Sequence, residues 1–282
     1  MKFGASTFIW ASPFSNATFH LIDKAAEMGF DILEVCVEDP ATIDPAAIRQ
    51  RLTERKLSAT VCGAFGPDRD LTSDDPAVRG NALGYIDRCT AIAAELGAPA
   101  VIGPMYAAVG KTRMLEPAER RAQWALAAEG VKQAADHAAK SGIKLGVEPL
   151  NRFETDLLNT VDQAMEFLRM VDRENVGLLI DTFHMNIEER DIPAAIRMAG
   201  DRVVEFHACA NDRGTPGKDH QPWPEIVRAL ADIRYDGPVV IEAFTTEIKE
   251  IARAVSIWRQ LAATQDAIAQ DGLKFLHAAF GR

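Results

Sequence analysis

The chain has 282 residues, 48% of them hydrophobic and 26% charged, with 31 basic against 41 acidic residues and a formal net charge of −10. That length supports a substantial core in one large domain or two smaller ones. The acidic balance argues against non-specific nucleic-acid binding, which needs a surplus of Lys and Arg, and no segment approaches the ~18 consecutive apolar residues of a membrane-spanning helix.

Taken in chain order, short apolar runs suited to buried parallel strands fall at Lys2–Ser6, Ile32–Val37, Ser58–Cys62, Ala100–Ile102, Lys144–Val147, Val176–Ile180, Val203–Phe206 and Pro238–Ile241. Helical patterns lie between them. Thr18–Met28 stops at Gly29, and Pro45–Arg55 starts with a proline in the first turn behind Asp44 as a cap. Pro76–Leu96 and Pro117–Lys140 are long, Ala-rich and amphipathic, and Asn159–Val171 starts from an Asn-Thr cap. Pro193–Ala199, Pro224–Ile233 and a C-terminal helical segment of about 248–279 complete the set. Strand-then-helix repeated eight times predicts an α/β fold, a (β/α)₈ TIM barrel spanning residues 1–282 as a single domain. The competitor is a doubly wound open sheet. When such a sheet binds a dinucleotide, a Gly-rich turn follows its first strand, and the first turn here, Thr7–Asn16, has no glycine.

The cysteines Cys36, Cys62, Cys89 and Cys209 form no CxxC spacing, and the N-terminus MKFGASTFIW lacks the apolar run of a secretory signal. The expectation is a cytoplasmic protein with reduced thiols and no membrane contact.

Barrel enzymes place their chemistry at the C-terminal ends of the strands. There the fifth strand leads into Glu148, the sixth into Asp181, the seventh into His207 and the eighth into Glu242. Each alone is ordinary: a carboxylate at a strand end often caps the next helix, and a lone histidine after an apolar run is often a core residue. Neighbouring strands lie under ~5 Å apart. Four such side chains on consecutive strands therefore converge, and three carboxylates with one imidazole in a mostly apolar mouth call for a cation. Oxygen-rich ligands with one nitrogen suit Mn²⁺, Mg²⁺ or Co²⁺. The loops beyond add Arg152 and Glu154, then His184 in DTFHMN, then Arg213 in HACANDRGTPGKDH. His184 and Arg213 are read as substrate-facing groups, and Arg152 as half of a local ion pair. The rim has no Gly-rich phosphate cradle and Glu154 would repel a phosphate, so an uncharged polyhydroxylated ligand is favoured. No Ser or Cys stands beside a free histidine at a strand end, so a nucleophilic triad cannot be assembled.

The stretches EPLNRFETDLLNT, LIDTFHMNIEE and the His207-to-Arg213 loop, together with CGAFGPDRDLTSDDPAVR, YDGPVVIEAF and SIWRQL, resemble the ketose 3-epimerases. That family comprises D-tagatose, D-allulose (psicose) and L-ribulose 3-epimerases, within the xylose-isomerase-like barrels. The resemblance covers most of the chain. It implies a metal, usually Mn²⁺, at Glu148, Asp181, His207 and Glu242, with Glu148 and Glu242 also the catalytic acid/base pair. It implies Glu154, His184 and Arg213 as substrate-binding residues, and Phe8, Cys62 and Phe244 as apolar walls against the far end of the sugar. It implies a free ketose of the D-tagatose, D-fructose/D-allulose or L-ribulose class as substrate, inverted at C3 through a cis-enediolate, and a homodimer or homotetramer. One position departs: Ala210 stands where many members carry a glutamate three residues after the metal histidine.

Three rivals share parts of this pattern. An aldose–ketose isomerase of the hydroxypyruvate- or xylose-isomerase type needs the same metal but moves a proton between C1 and C2. A DNA-repair endonuclease of related fold wants extra histidines at the early strand ends, where this chain has Cys36, Cys62 and Gly103. A non-catalytic sugar-binding barrel has no use for two opposed carboxylates.

Overall fold

In the computed structural model, which describes residues 1–281, each predicted apolar run forms a strand. These are β1 (Lys2–Ser6), β2 (Ile32–Val37), β3 (Ser58–Gly63), β4 (Ala100–Gly103), β5 (Lys144–Val147), β6 (Val176–Asp181), β7 (Val203–Ala208) and β8 (Pro238–Ile241). Neighbours pair in parallel in sequence order and β1 closes on β8. The fold is the expected (β/α)₈ barrel, a sheet with no free edge.

The helices outside are α1 (His20–Met28), α2 (Pro45–Arg55), α3 (Pro76–Leu96), α4 (Pro117–Ala138), α5 (Val161–Val171), α6 (Thr182–Glu188), α7 (Ile192–Ala199), α8 (Trp223–Asp232), α9 (Lys249–Ala254) and α10 (Gln265–Phe280). Their ends follow from local chemistry. Asp44 and Asp75 accept the backbone N–H groups of Ala47 and Ala77 just ahead of Pro45 and Pro76. Gly29, at φ 92°, closes α1 in the left-handed region.

Two segments differ from expectation. DTFHMN, read as a loop, forms the short helix α6, because the Asp181 side chain accepts the backbone N–H groups of Phe183 and His184 and so caps it. The C-terminal pattern of about 248–279 divides into α9 and α10. Ser256, at φ 59°, lies in the turn beyond α9, and Thr264 starts α10 by accepting the N–H of Ala267.

Apolar side chains fill two shells. Phe3, Leu33, Val61, Leu145, Ile180 and Phe206 pack outward between strands and helices. Cys36, Cys62, Ile102 and Leu179 point inward, with Phe8 and Phe244 above them at the mouth. The inner shell is polar where it matters: Glu34, Thr60, Glu205 and His207 are all buried.

The β6–β7 pairing has an irregularity that decides the site. Leu178 pairs with Val203 but Leu179 pairs with Glu205, so Val204 has no partner opposite it. This bulge carries Asp181 into register with His207. Gly177 sits beside it, and a Cβ there would lie 2.3 Å from the Arg202 carbonyl oxygen. Only glycine permits that approach.

Candidate active site

Eight of the ten predicted site residues line one cavity of about 740 Å³: Phe8, Cys62, Glu148, Glu154, His184, Arg213, Glu242 and Phe244. Asp181 and His207, both buried, are linked to it through Glu242 and Glu148. Ligand atoms of Glu148, Asp181 and His207 lie within 4.8 Å of one another, as do those of Asp181, Cys209 and Glu242. His207 Nδ1 is 3.6 Å from Asp181 Oδ2 and 3.9 Å from Glu242 Oε1. These distances exceed a hydrogen bond. They suit atoms sharing an ion about 2.1 Å from each, which stand roughly 3–4 Å apart.

The residues present fit a divalent cation on a second ground. Asp181 Oδ2, His207 Nδ1 and Glu242 Oε2 are buried with no hydrogen-bond partner. Orphaned polar atoms in a core are costly unless something positive meets them. The thiol of Cys209, pushed well above its usual range by burial and then by Asp181, stays protonated. A hard cation therefore finds oxygen and imidazole donors here rather than thiolate.

Above the cluster the groups are held in fixed poses. The backbone N–H of Asn151 donates to His184 Nδ1 at 3.0 Å. That leaves Nε2 to carry the proton, 3.6 Å from Glu148 Oε1. Burial, partly opposed by Asp181, pushes the His184 imidazole down to about 4, so it is neutral near pH 7. Asn151 Nδ2 also donates to Glu154 Oε1 (2.9 Å), and Arg213 Nη1 bonds the same oxygen at 3.1 Å. Arg213 is buried, with its guanidinium over the rings of Phe183 (4.3 Å) and Phe244 (4.6 Å). Its backbone has φ 63°, a strained setting for a non-glycine residue and one concentrated at functional sites. Phe8 and Phe244 stack with centroids 5.7 Å apart and form the apolar wall beside Cys62. Arg152 stands apart, exposed and forked onto Glu188 at 2.9 and 3.0 Å, the local ion pair read from the sequence.

Three participants were absent from the sequence reading. Asn151 orients both His184 and Glu154. Glu34 and Glu205 lie inside the barrel below His207, and all three place ligand atoms within 4.8 Å of one another. The signal for Glu34 was present, since it is the lone charge in the apolar run ILEVCV. Glu205 carries the same mark in VVEF, but its inward turn depends on the bulge.

Burial, and then the neighbouring carboxylates, push Glu148 well above the carboxylate range and Glu242 up to about 8. Burial and Glu34 push Glu205 to about 8 as well. Burial works against charge on His207, yet Glu34 and Asp181 hold its imidazole well above the usual value. Asp181 and Glu154 titrate low, against burial, through His207 and Arg213 respectively. These shifts set a stability profile in EDTA. Glu205, Glu242 and His207 all bind protons more tightly folded than unfolded, so stability falls as pH rises through the interval where the unfolded chain has released them. His184 acts oppositely, but only below about 6.5. The expected outcome is a lower melting temperature at pH 8 than at pH 6.5 in EDTA. A higher one at pH 8 would refute the electrostatic account.

The sequence profile of the Xylose isomerase-like TIM barrel family matches residues 22–279. A protein of Synechocystis sp. named "Probable ketose 3-epimerase" is 36% identical over 280 residues, 99% of this chain and 97% of that one. The D-psicose 3-epimerase of Agrobacterium fabrum is 33% identical across 96% of this chain and 94% of its own. The chain belongs to the ketose 3-epimerase family. Among solved structures, the D-allulose 3-epimerase of Methylomonas sp. in complex with D-allulose superimposes with a TM-score of 0.93 at 31% identity, covering 99% of this chain and 97% of that one. Within this ketose 3-epimerase barrel Ala210, the departure noted above, is fully buried. Its carbonyl accepts the Arg213 N–H at 2.9 Å and so closes the turn that presents Arg213.

Proposed function

We propose that the chain inverts C3 of free ketoses of the D-tagatose, D-fructose/D-allulose and L-ribulose class, with Mn²⁺ as the preferred cation and Mg²⁺ or Co²⁺ as substitutes. The observation that carries this reading is the convergence of Glu148, Asp181, His207 and Glu242, with three orphaned buried atoms, beside a 740 Å³ cavity in a ketose 3-epimerase barrel. A bound divalent cation supplies the Lewis acidity that makes a C–H next to a ketose carbonyl acidic enough for a carboxylate to remove.

The side chains do the rest. Glu148 and Glu242 follow β5 and β8, three staves apart around the ring, and reach the centre from separated walls. One removes the C3 proton to give a planar cis-enediolate and the other returns a proton from the opposite face. Neutral His184 offers its Nε2–H beside Glu148, while Glu154 and Arg213 grip substrate hydroxyls and the carbonyl end. Phe8, Cys62 and Phe244 exclude water from the far end of the sugar. Two further elements of the reading rest on composition and surface. The four free buried thiols suit the reducing cytoplasm, and the exposed apolar Met114, Phe153 and Trp258 suit a homodimer or homotetramer.

The test is solvent deuterium uptake. Incubation of a ketose panel with enzyme and Mn²⁺ in D₂O is expected to place deuterium at C3. Deuterium at C1 or C2 instead would establish an aldose–ketose isomerase, and no incorporation into any ketose would leave a sugar-binding barrel.

A further inference from the structure

Glu34 is fully buried in the wall of β2, below the candidate metal cluster. Its Oε2 lies 2.7 Å from His207 Nε2, and its Oε1 lies 3.6 Å from Cys36 Sγ. His207 is its ion-pair partner among the described residues. Across the barrel, Glu205 of β7 places a carboxyl oxygen within 4.8 Å of it, and Thr60 Oγ1 on β3 donates to Glu205 Oε1 at 3.0 Å. Nothing about the sugar cavity requires this arrangement, since Glu34 does not line it.

The ring opposite Glu34 is satisfied on one side only. An ordinary core histidine finds partners for both nitrogens. His207 bonds Glu34 through Nε2 and leaves Nδ1 buried, unpartnered, and facing Asp181 Oδ2 and Glu242 Oε1. A carboxylate accepts and never donates when ionised, so a ring nitrogen held against it carries hydrogen. The other nitrogen is then the one whose lone pair is free.

We propose that Glu34 is a positioning residue: it takes the Nε2–H of His207, and thereby fixes Nδ1 as the cation-facing nitrogen and holds the plane of the ring. This rests on the cation site of the proposed function. Outer carboxylates of this kind fix tautomer and orientation and raise the basicity of the ligating nitrogen. The isosteric amide of a glutamine keeps the volume but removes the charge. Its carbonyl oxygen accepts the Nε2–H less strongly than a carboxylate does, and its NH₂ group competes by donating to Nε2, which moves the ring proton to Nδ1, where it blocks the cation.

The experiment uses the full chain freed of metal with a chelator and titrated with Mn²⁺, free ion being followed by electron paramagnetic resonance. Glu34→Gln is expected to weaken Mn²⁺ binding about ten- to hundredfold, with helicity in EDTA retained. A second measurement needs no variant. In wild-type protein carrying ¹⁵N-histidine and loaded with diamagnetic Mg²⁺, nitrogen–proton correlation is expected to show the His207 proton on Nε2 and none on Nδ1. A proton on Nδ1, or a Glu34→Gln affinity within about twofold of wild type, overturns the proposal. Were wild-type protein to bind no Mn²⁺ at all, the failure would lie with the cation site itself, not with Glu34 alone.

Discussion

Glu148→Gln and Glu242→Gln are each expected to lower net C3 epimerisation by about 10²–10⁴-fold, the range that a positioned general acid or base contributes. The substitution keeps shape and removes the ability to take a proton. Both carboxyls sit in surroundings that raise their proton affinity, burial first and neighbouring carboxylates next, with Glu242 reaching about 8. A bound cation opposes that rise and leaves the carboxylates ionised, able to take a proton. Two features separate this from a general loss of the site. Each variant keeps an oxygen donor in place, so weak Mn²⁺ binding is expected to persist. In addition, with two one-face bases, loss of either stops net inversion while the remaining one still has a face to itself. Deuterium washout from C3 of one epimer is therefore expected to outlast its conversion to the other. Wild-type turnover in either variant would remove that residue from the acid/base role.

Cation removal is the second large effect. Asp181 Oδ2, His207 Nδ1 and Glu242 Oε2 are buried without partners, and Glu148 adds a further carboxyl to the same centre. A bound cation would offset the negative charge of the carboxylates, which without it crowd one another and hold protons instead. An ion present at 100 times its dissociation constant stabilises the fold by about 2.7 kcal/mol. For a chain of this size that corresponds to roughly 5 °C in melting temperature. EDTA is expected to abolish C3 exchange and lower the melting temperature by that order, and Mn²⁺ to restore both. An unchanged melting temperature would show that the cluster draws its stability from protonation alone, with Glu242 and Glu148 neutral.

The barrel was readable because parallel strands buried on both faces leave continuous apolar runs and the intervening helices carry their own punctuation. Asp44 before Pro45 and Gly29 after Met28 act through chemistry confined to a few residues, and the helices end where those residues say. The four strand-end groups were readable for a similar reason: in this fold the end of a strand is a fixed address. Helix α6 has no legible signal in the sequence because it is only seven residues long, and what starts it is the side chain of Asp181, whose strand-end position points first to a metal. Asn151 carries no charge to mark it, and its contact with His184 forms only after β5 and β6 are side by side, although Glu154 is a local partner three residues on.

What the sequence determined by itself was local: which segments are strands, where helices stop, and which charged residues stand at strand ends. Which face those residues point to was decided by pairing. Had β7 continued from Leu178–Val203 without the extra Val204, Asp181 would pair with Phe206. The inward positions of β7 would then belong to Val204 and Phe206 rather than to Glu205 and His207. One unpaired residue thus turns a histidine from the helix layer into the centre of the barrel, and turns Glu205 in with it. The same holds for Glu34, whose partner is 173 positions away along the chain and 2.7 Å away in space. Side-chain alternation is a local rule, but register is a property of two strands together, and it is set only when the ring of eight closes.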